Sequence, residues 1–292
     1  MSGAAGVPVD RSQYPFTSRW MDLPEGRMHY IDEGSGEPLL FVHGTPTWSF
    51  EWRHVIRALA PAHRCIAPDH LGFGLSDRPR EAGYTPEAHA ERLDVFLERL
   101  AVPEPFTLVV HDYGGPIGLP ICLRHPERVK RLVLTNTWMW SFAGDRDMES
   151  KGRFAGGPVA RWLYEWANFS LRVITPMAYG NRRKLTPAIH RQYLARFPDR
   201  GSRSAVLWPL ARAILGSGAY YDSLWQQRTR LSGRPALIVW GMKDPAFPPY
   251  QLARWREVLP GARVAELAHA GHWPHEEEPE RVIEELRKFL GG

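Results

Sequence analysis

Three side chains stand out for where they fall. Asp112 ends the run Leu108-Val-Val-His-Asp and is followed by Tyr113, Gly114 and Gly115. A buried strand that breaks into a sharp turn and then opens a helical pattern can present a nucleophile at its tip. Small residues just beyond let the backbone turn while the side chain points outward. The tip residue is an aspartate, not a serine or cysteine. A carboxylate with an ordinary pKa of about 3.9 is ionised at neutral pH and needs no base to activate it. It can attack a saturated carbon directly and form an alkyl ester. Taken alone, Asp112 also reads as a plain helix cap. Asp244 and His272 argue against that. Asp244 lies just past the apolar run Ile238-Val-Trp-Gly, and His272 lies in the loop Ala268-His-Ala-Gly-His-Trp-Pro before the last helical pattern. In that order, His272 is expected to deprotonate a water that hydrolyses the ester, and Asp244 to orient the imidazole. Forming the ester removes no proton, so the histidine serves the second step.

An ester that is attacked by water needs donors for the developing oxyanion. The run Phe41-Val-His-Gly-Thr-Pro-Thr47 offers the backbone N–H of Thr45, and the turn after Asp112 offers that of Tyr113 at a helix N-terminus. His269, His272 and His275 recur at a spacing of three, but no second ligand cluster accompanies them, so no metal is expected. The Gly-X-Gly of Asp69-His-Leu-Gly-Phe-Gly lacks a third glycine and a following helix. It reads as a structural turn rather than a dinucleotide site, and no cofactor is expected.

The elements that must hold these residues follow from the apolar runs. Pro38–Val42, Arg64–Ala67, Phe106–Val110, Arg131–Leu134 and Ala236–Trp240 read as strands without polar alternation, as a sheet covered on both faces requires. Trp48–Leu59, Thr85–Leu100, Gly115–His125 and a last segment near Glu276–Leu290 are helical in period, the last with acids in its first turn and Arg287 and Lys288 in its final one. Alternation at Arg27–Tyr30 suggests an antiparallel edge strand. The predicted class is α/β: a mostly parallel central sheet flanked by helices, in the chain order of the α/β-hydrolase arrangement. Between Thr137 and Ser232 no run reads as a strand, so residues 137–232 are expected to form an inserted helical cap. Residues 1–136 and 233–292 would form the core.

Composition narrows the function classes. The 292 residues carry 37 Lys+Arg against 32 Asp+Glu, and the sequence is 43% apolar, as in an ordinary soluble globule. Residues 137–232 hold 15 of the Lys+Arg and 6 of the Asp+Glu, with half of the twelve tryptophans. The basic character therefore belongs to the expected cap, whose aromatics would line or brace an apolar pocket while most arginines face water. A nucleic-acid binder is not indicated, since Arg182-Arg-Lys184 is the one basic cluster and no docking motif is present. No apolar run is long enough to span a membrane, and no secretory signal is readable in the first residues, MSGAAGVPVD. Cys65 and Cys122 read as buried thiols, so a cytoplasmic protein is expected.

His43-Gly-Thr-Pro-Thr-Trp, Pro68-Asp-His-Leu-Gly-Phe-Gly-Leu-Ser-Asp, Val110-His-Asp-Tyr-Gly-Gly, Gly241-Met-Lys-Asp and Ala270-Gly-His together resemble the haloalkane dehalogenases and their relatives. The resemblance runs from about Tyr14 to the C-terminus and is weakest in the expected cap. It implies Asp112 as nucleophile, His272 as base and Asp244 as the third member, on a small apolar substrate. The Asp-nucleophile branch also holds epoxide hydrolases, which would need two cap tyrosines over Asp112. Tyr164, Tyr179, Tyr193, Tyr220 and Tyr221 are the candidates. The β-lactone decarboxylases are further relatives. A non-catalytic ligand receptor on the same fold would not require all three of Asp112, Asp244 and His272. In the family a Trp follows the nucleophile and, in many members, an Asn follows His-Gly, holding the leaving halide; here Tyr113 and Thr45 stand there. Hydroxyls suit an oxygen leaving group at least as well, and Trp138 or Trp140 is a further source of an indole N–H.

Overall fold

The computed structural model describes residues 8–291; the first residues, read above for a secretory signal, fall largely outside them. Eight strands form one sheet in the order β1-β2-β4-β3-β5-β6-β7-β8. They are β1 (Arg19–Leu23), β2 (Gly26–Glu33), β3 (Glu37–Val42), β4 (His63–Pro68), β5 (Phe106–Asp112), β6 (Val129–Thr137), β7 (Ala236–Gly241) and β8 (Arg263–Leu267). The pairs β1–β2 and β2–β4 are antiparallel, and all the others are parallel. Every residue of β5 and β7 is buried, as the unbroken apolar runs predict.

The five core strands stand where the sequence reading puts them. The Arg27–Tyr30 alternation lies in β2, which is antiparallel but second from the edge. The outer strand is β1, and it was not anticipated, nor was β8 on the far side. Both are five residues long and mostly exposed or half-buried, so neither has the apolar run that marks an interior strand.

Helices α1 (Arg53–Leu59), α2 (Pro86–Leu100) and α3 (Gly114–Arg124) connect the core strands. The Trp48–Leu59 pattern is divided, with a 3-10 turn at Ser49–Trp52 before α1. Thr85 caps α2 by accepting from the N–H of Ala88, with Pro86 at the first turn. The expected final helix is broken as well, into Pro274–Glu277 and Pro279–Leu290. Pro279 has no N–H to continue a helix and suits a new first turn. Glu276 and Glu277 are therefore not dipole acids. Glu276 is buried against Arg53, Tyr179 and Tyr193, while Glu277 accepts from the backbone N–H groups of Asn181 and Gly271.

Between β6 and β7 the described secondary structure is entirely helical. Trp138 and Trp140 are buried here, but Trp162 and Trp166 are 58% and 57% exposed and stand at the outer surface rather than in an apolar pocket beneath the segment, contrary to the composition-based expectation. Composition cannot say which face of Pro158–Ala167 a tryptophan takes. Most arginines of the segment are exposed, and several stack on its indoles: Arg200 on Trp166, Arg161 and Arg212 on Trp208, Arg228 on Trp225.

β3 lies between β4 and β5, so the loops after β3 and β5 leave in opposite directions at the carboxyl ends of those strands. Open α/β sheets bind ligands there. Cys65 and Cys122 are free and buried, and no helix among the described residues is long and apolar enough to cross a membrane.

Candidate active site

The candidate site is built around Asp112. Its φ is +49°, a left-handed conformation that a non-glycine residue rarely adopts and that tight packing must enforce. Two glycines make room for it: a Cβ on Gly44 would overlap the Asp112 side chain, and one on Gly114 would overlap the carbonyl of Val42. Thr137 Oγ1 donates to the Asp112 carbonyl at 2.6 Å and pins the turn from β6.

The structure brings Asp112, His272 and Asp244 together. Asp112 Oδ1 accepts from the N–H of Thr45 at 2.8 Å, and Tyr113 is the N-cap residue of α3 beside it. Asp112 Oδ2 faces His272 Nε2 at 3.5 Å, and His272 Nδ1 lies 2.8 Å from Asp244 Oδ2. Asp244 is held in turn. Asn136 Nδ2 donates to its Oδ2 at 2.8 Å, and the N–H of Ala246 donates to its Oδ1 at 2.7 Å. The role of Asn136, at the end of β6, was not foreseen. Its position just past a core strand's last apolar residue was the available signal.

Electrostatics order the chemistry. Burial disfavours charge on His272, but Asp244 and Asp112 outweigh it and push its pKa up to about 10. Burial likewise disfavours charge on Asp244, and its contacts with His272 overcome this and hold its carboxyl below the ordinary value. At neutral pH His272 is thus held as an imidazolium that faces both Asp112 and Asp244. Esterification would neutralise Asp112, and His272 would then lose its proton more readily and become a base. The same linkage predicts a stability profile. The folded-state pKa of His272 lies above its ordinary value of about 6.5, so its stabilisation is complete below that pH and is lost as pH rises through about 10. The unfolding free energy of wild type minus that of His272→Phe should therefore shrink from about pH 6.5 to about pH 10. A difference that stays flat would contradict the ion triad.

The aromatic wall sorts the other sequence candidates. Tyr113 donates its hydroxyl to the carbonyl of Leu210 at 2.5 Å, so that hydrogen is committed to the helical segment rather than to a leaving group. Trp140 donates its N–H to Gln251 Oε1 at 3.0 Å and packs edge-on to Trp225 and Trp255, away from Asp112. Tyr179 and Tyr193 donate to Glu276, and Tyr220 donates to the carbonyl of Pro116. Of the five tyrosine candidates, this leaves Tyr164 and Tyr221. Both are buried, and burial together with the nearby Asp112 charge raises the pKa of each. Trp138 packs against Tyr113, Tyr221 and Phe247, and Phe247 stacks on His272. In this ring of apolar surfaces, Trp138 Nε1 is a buried polar atom without a good hydrogen-bond partner, and the Tyr221 hydroxyl lies beside that of Tyr113.

The remaining expectations are quickly placed. His269 is exposed, His272 serves the triad and His275 stacks on Trp52 at 4.2 Å, so the three do not converge as ligands. Asp69 is buried and accepts from His29, Ser49 and Leu75, which makes its glycine-containing loop the structural turn expected.

Comparison with known proteins gives the family. A profile of the alpha/beta hydrolase fold family matches residues 37–279. Haloalkane dehalogenase 2 of Mycobacterium tuberculosis is 36% identical over 284 residues, covering 97% of this chain and 98% of the relative. The cis-3-alkyl-4-alkyloxetan-2-one decarboxylase of Shewanella oneidensis is 33% identical, covering 94% and 89%. Among solved structures, a haloalkane dehalogenase from Agrobacterium tumefaciens C58 superposes with a TM-score of 0.83 at 26% identity, covering 94% of this chain and 96% of that one.

Proposed function

Because the chain belongs to the alpha/beta hydrolase fold family and, within it, to the haloalkane dehalogenases and their relatives, we propose that it converts a haloalkane and water to an alcohol and halide through an ester on Asp112. The observation that carries this is the two-sided placement of the Asp112 carboxylate. One oxygen rests on the Thr45 N–H, and the other faces His272 backed by Asp244. Residues 137–232 act as the cap over residues 1–136 and 233–292, and contribute much of the apolar substrate wall.

In the first step a carboxylate oxygen of Asp112 bonds to the carbon as the carbon–halogen bond breaks and halide leaves with the electron pair. His272, relieved of the Asp112 charge, releases its proton and then takes one from water. The resulting hydroxide attacks the ester carbonyl, whose oxyanion is held by the N–H groups of Thr45 and Tyr113. Collapse expels the alcohol, which is protonated from His272. Asp112 then returns its proton to the imidazole and the resting ion triad is restored.

Halide leaving in a dry pocket needs fixed donors; Trp138 Nε1–H is uncommitted, and Tyr221 Oη–H, beside the Tyr113 hydroxyl, is the second candidate. A hydrogen bond to a charged group contributes about 1.5–3 kcal/mol, so Trp138→Phe should slow halide formation about tenfold to a hundredfold. Rapid-quench measurement of the first turnover reads this directly. An unchanged rate in both Trp138→Phe and Tyr221→Phe would show that neither donates.

A second reading is favoured by the hydroxyls of Tyr164 and Tyr221 near Asp112, which suit an oxygen leaving group, and by the likeness to the oxetanone decarboxylase. There Asp112 would open a β-lactone at the ring carbon bearing oxygen and release the ring carboxylate. Loss of carbon dioxide would send its electrons into a carbon–carbon double bond and expel Asp112 without consuming water. Assay of wild type with haloalkanes, epoxides and β-lactones separates the classes. Halide release with alcohol formation supports the first reading; an alkene product from the lactone, with no halide from any chain length, replaces it with the second.

A further inference from the structure

We propose that Glu51 and His111 form a buried positioning pair that, through a shared proton, holds the main chain of His272 and fixes its imidazole for ester hydrolysis. This rests on the reading of His272 as the base.

Donors and acceptors fix the hydrogens of this pair. His111 directly precedes Asp112 on β5, and its Nε2 lies 2.8 Å from the carbonyl oxygen of His272. A carbonyl only accepts, so Nε2 carries a hydrogen. The other ring nitrogen, Nδ1, lies 3.2 Å from Glu51 Oε1. A neutral ring would there turn a bare lone pair toward a carboxylate. Glu51 and His111 are 0% and 1% exposed, so water does not relieve that repulsion. A second hydrogen must therefore lie between Nδ1 and Oε1, whichever atom holds it more closely.

The other titratable groups around Glu51 do not take this role. His275, from the Pro274–Glu277 turn, sets Nε2 3.8 Å from Glu51 Oε1, outside hydrogen-bond reach, and burial keeps its pKa well below the ordinary value. Burial also lowers the pKa of His43, at the end of β3. Arg53 on α1 is paired with Glu276, to which Tyr193 also donates. The His111 bond completes a two-sided grip on His272, whose N–H donates to the carbonyl of Ala178 at 2.9 Å. The rings of His111 and His272 lie 4.8 Å apart. Release of the His272 carbonyl would let the imidazole shift relative to Asp112, and a misplacement of about 1 Å can cost about a hundredfold in rate.

The test compares Glu51→Ala, His111→Phe and Glu51→Gln with His272→Phe, on a bromoalkane that wild type turns over. In Glu51→Ala and His111→Phe, kcat should fall about tenfold to a hundredfold. Esterification precedes the impaired step, so kcat/KM should stay within about threefold and the alkyl-enzyme ester should accumulate in the intact mass. Glu51→Gln should recover most of kcat, since its amide can donate to Nδ1 and preserve the Nε2–H bond. A merely structural role would lower kcat and kcat/KM together, with no ester, and would overturn the proposal even if one variant folds poorly. Unchanged kcat in both Glu51→Ala and His111→Phe would overturn it as well. If His272→Phe accumulates ester and neither of the other two does, the positioning pair fails while the reaction stands. If His272→Phe accumulates none, the reaction and the pair fail together. Donor atoms of Glu51, His111 and His275 lie within 4.8 Å of one another. Stoichiometric zinc in the purified protein, with activity lost on its removal, would thus replace the shared proton by a metal and overturn the proposal.

Discussion

Replacing Asp112 by asparagine is expected to lower halide release by at least about four orders of magnitude, the scale on which removal of a covalent nucleophile acts. The amide is uncharged and a poor nucleophile toward saturated carbon, so the first bond does not form. The amide oxygen of the substituted side chain can still accept from the Thr45 N–H, and the left-handed backbone at +49° suits asparagine better than most residues. The variant should therefore fold, and loss of activity can be read as loss of chemistry. Ion chromatography of released halide, alongside near-UV circular dichroism, checks both parts. Residual turnover within about a hundredfold of wild type would mean that water attacks the substrate directly, and the covalent account would fall.

The second large effect is selective. His272→Phe should leave ester formation largely intact and slow hydrolysis by about two to four orders of magnitude, the usual contribution of general base catalysis. Mixed with excess substrate, it should release one halide per active site in a burst and then nearly stop. Phenylalanine fits beside Phe247, which already stacks on this ring, although Asp244 loses its partner and the fold some stability. Steady halide release at the wild-type rate would remove His272 from the mechanism. No burst at all would mean that no ester forms ahead of the step His272 serves, and the covalent reaction would fail.

Much of this site was legible in the sequence because its parts sit where buried strands stop. Asp112 ends β5 and Thr45 follows β3, and each strand announces itself as an apolar run ending at glycine or a polar turn. Asp244 follows β7 in the same way. The wall was less legible. Tyr221, Phe247 and Trp138 meet only in three dimensions, and no local pattern distinguishes them from Trp140 and Tyr193, whose polar atoms are committed elsewhere. The Glu51–His111 contact joins a 3-10 turn to a strand 60 residues away, and its importance lies in a hydrogen count that no spacing encodes. The edge strands β1 and β8 were missed for a simpler reason. Half exposed and short, they have neither a continuous apolar run nor a clean alternation.

Isotope transfer distinguishes attack of water on the ester carbonyl of Asp112 from attack on the substrate carbon. Wild type is allowed many turnovers of a bromoalkane in oxygen-18 water, and the peptide containing Asp112 is then weighed. The account predicts heavy oxygen in the Asp112 carboxylate and, from later turnovers, in the alcohol. A heavy alcohol with an unlabelled Asp112 would contradict it.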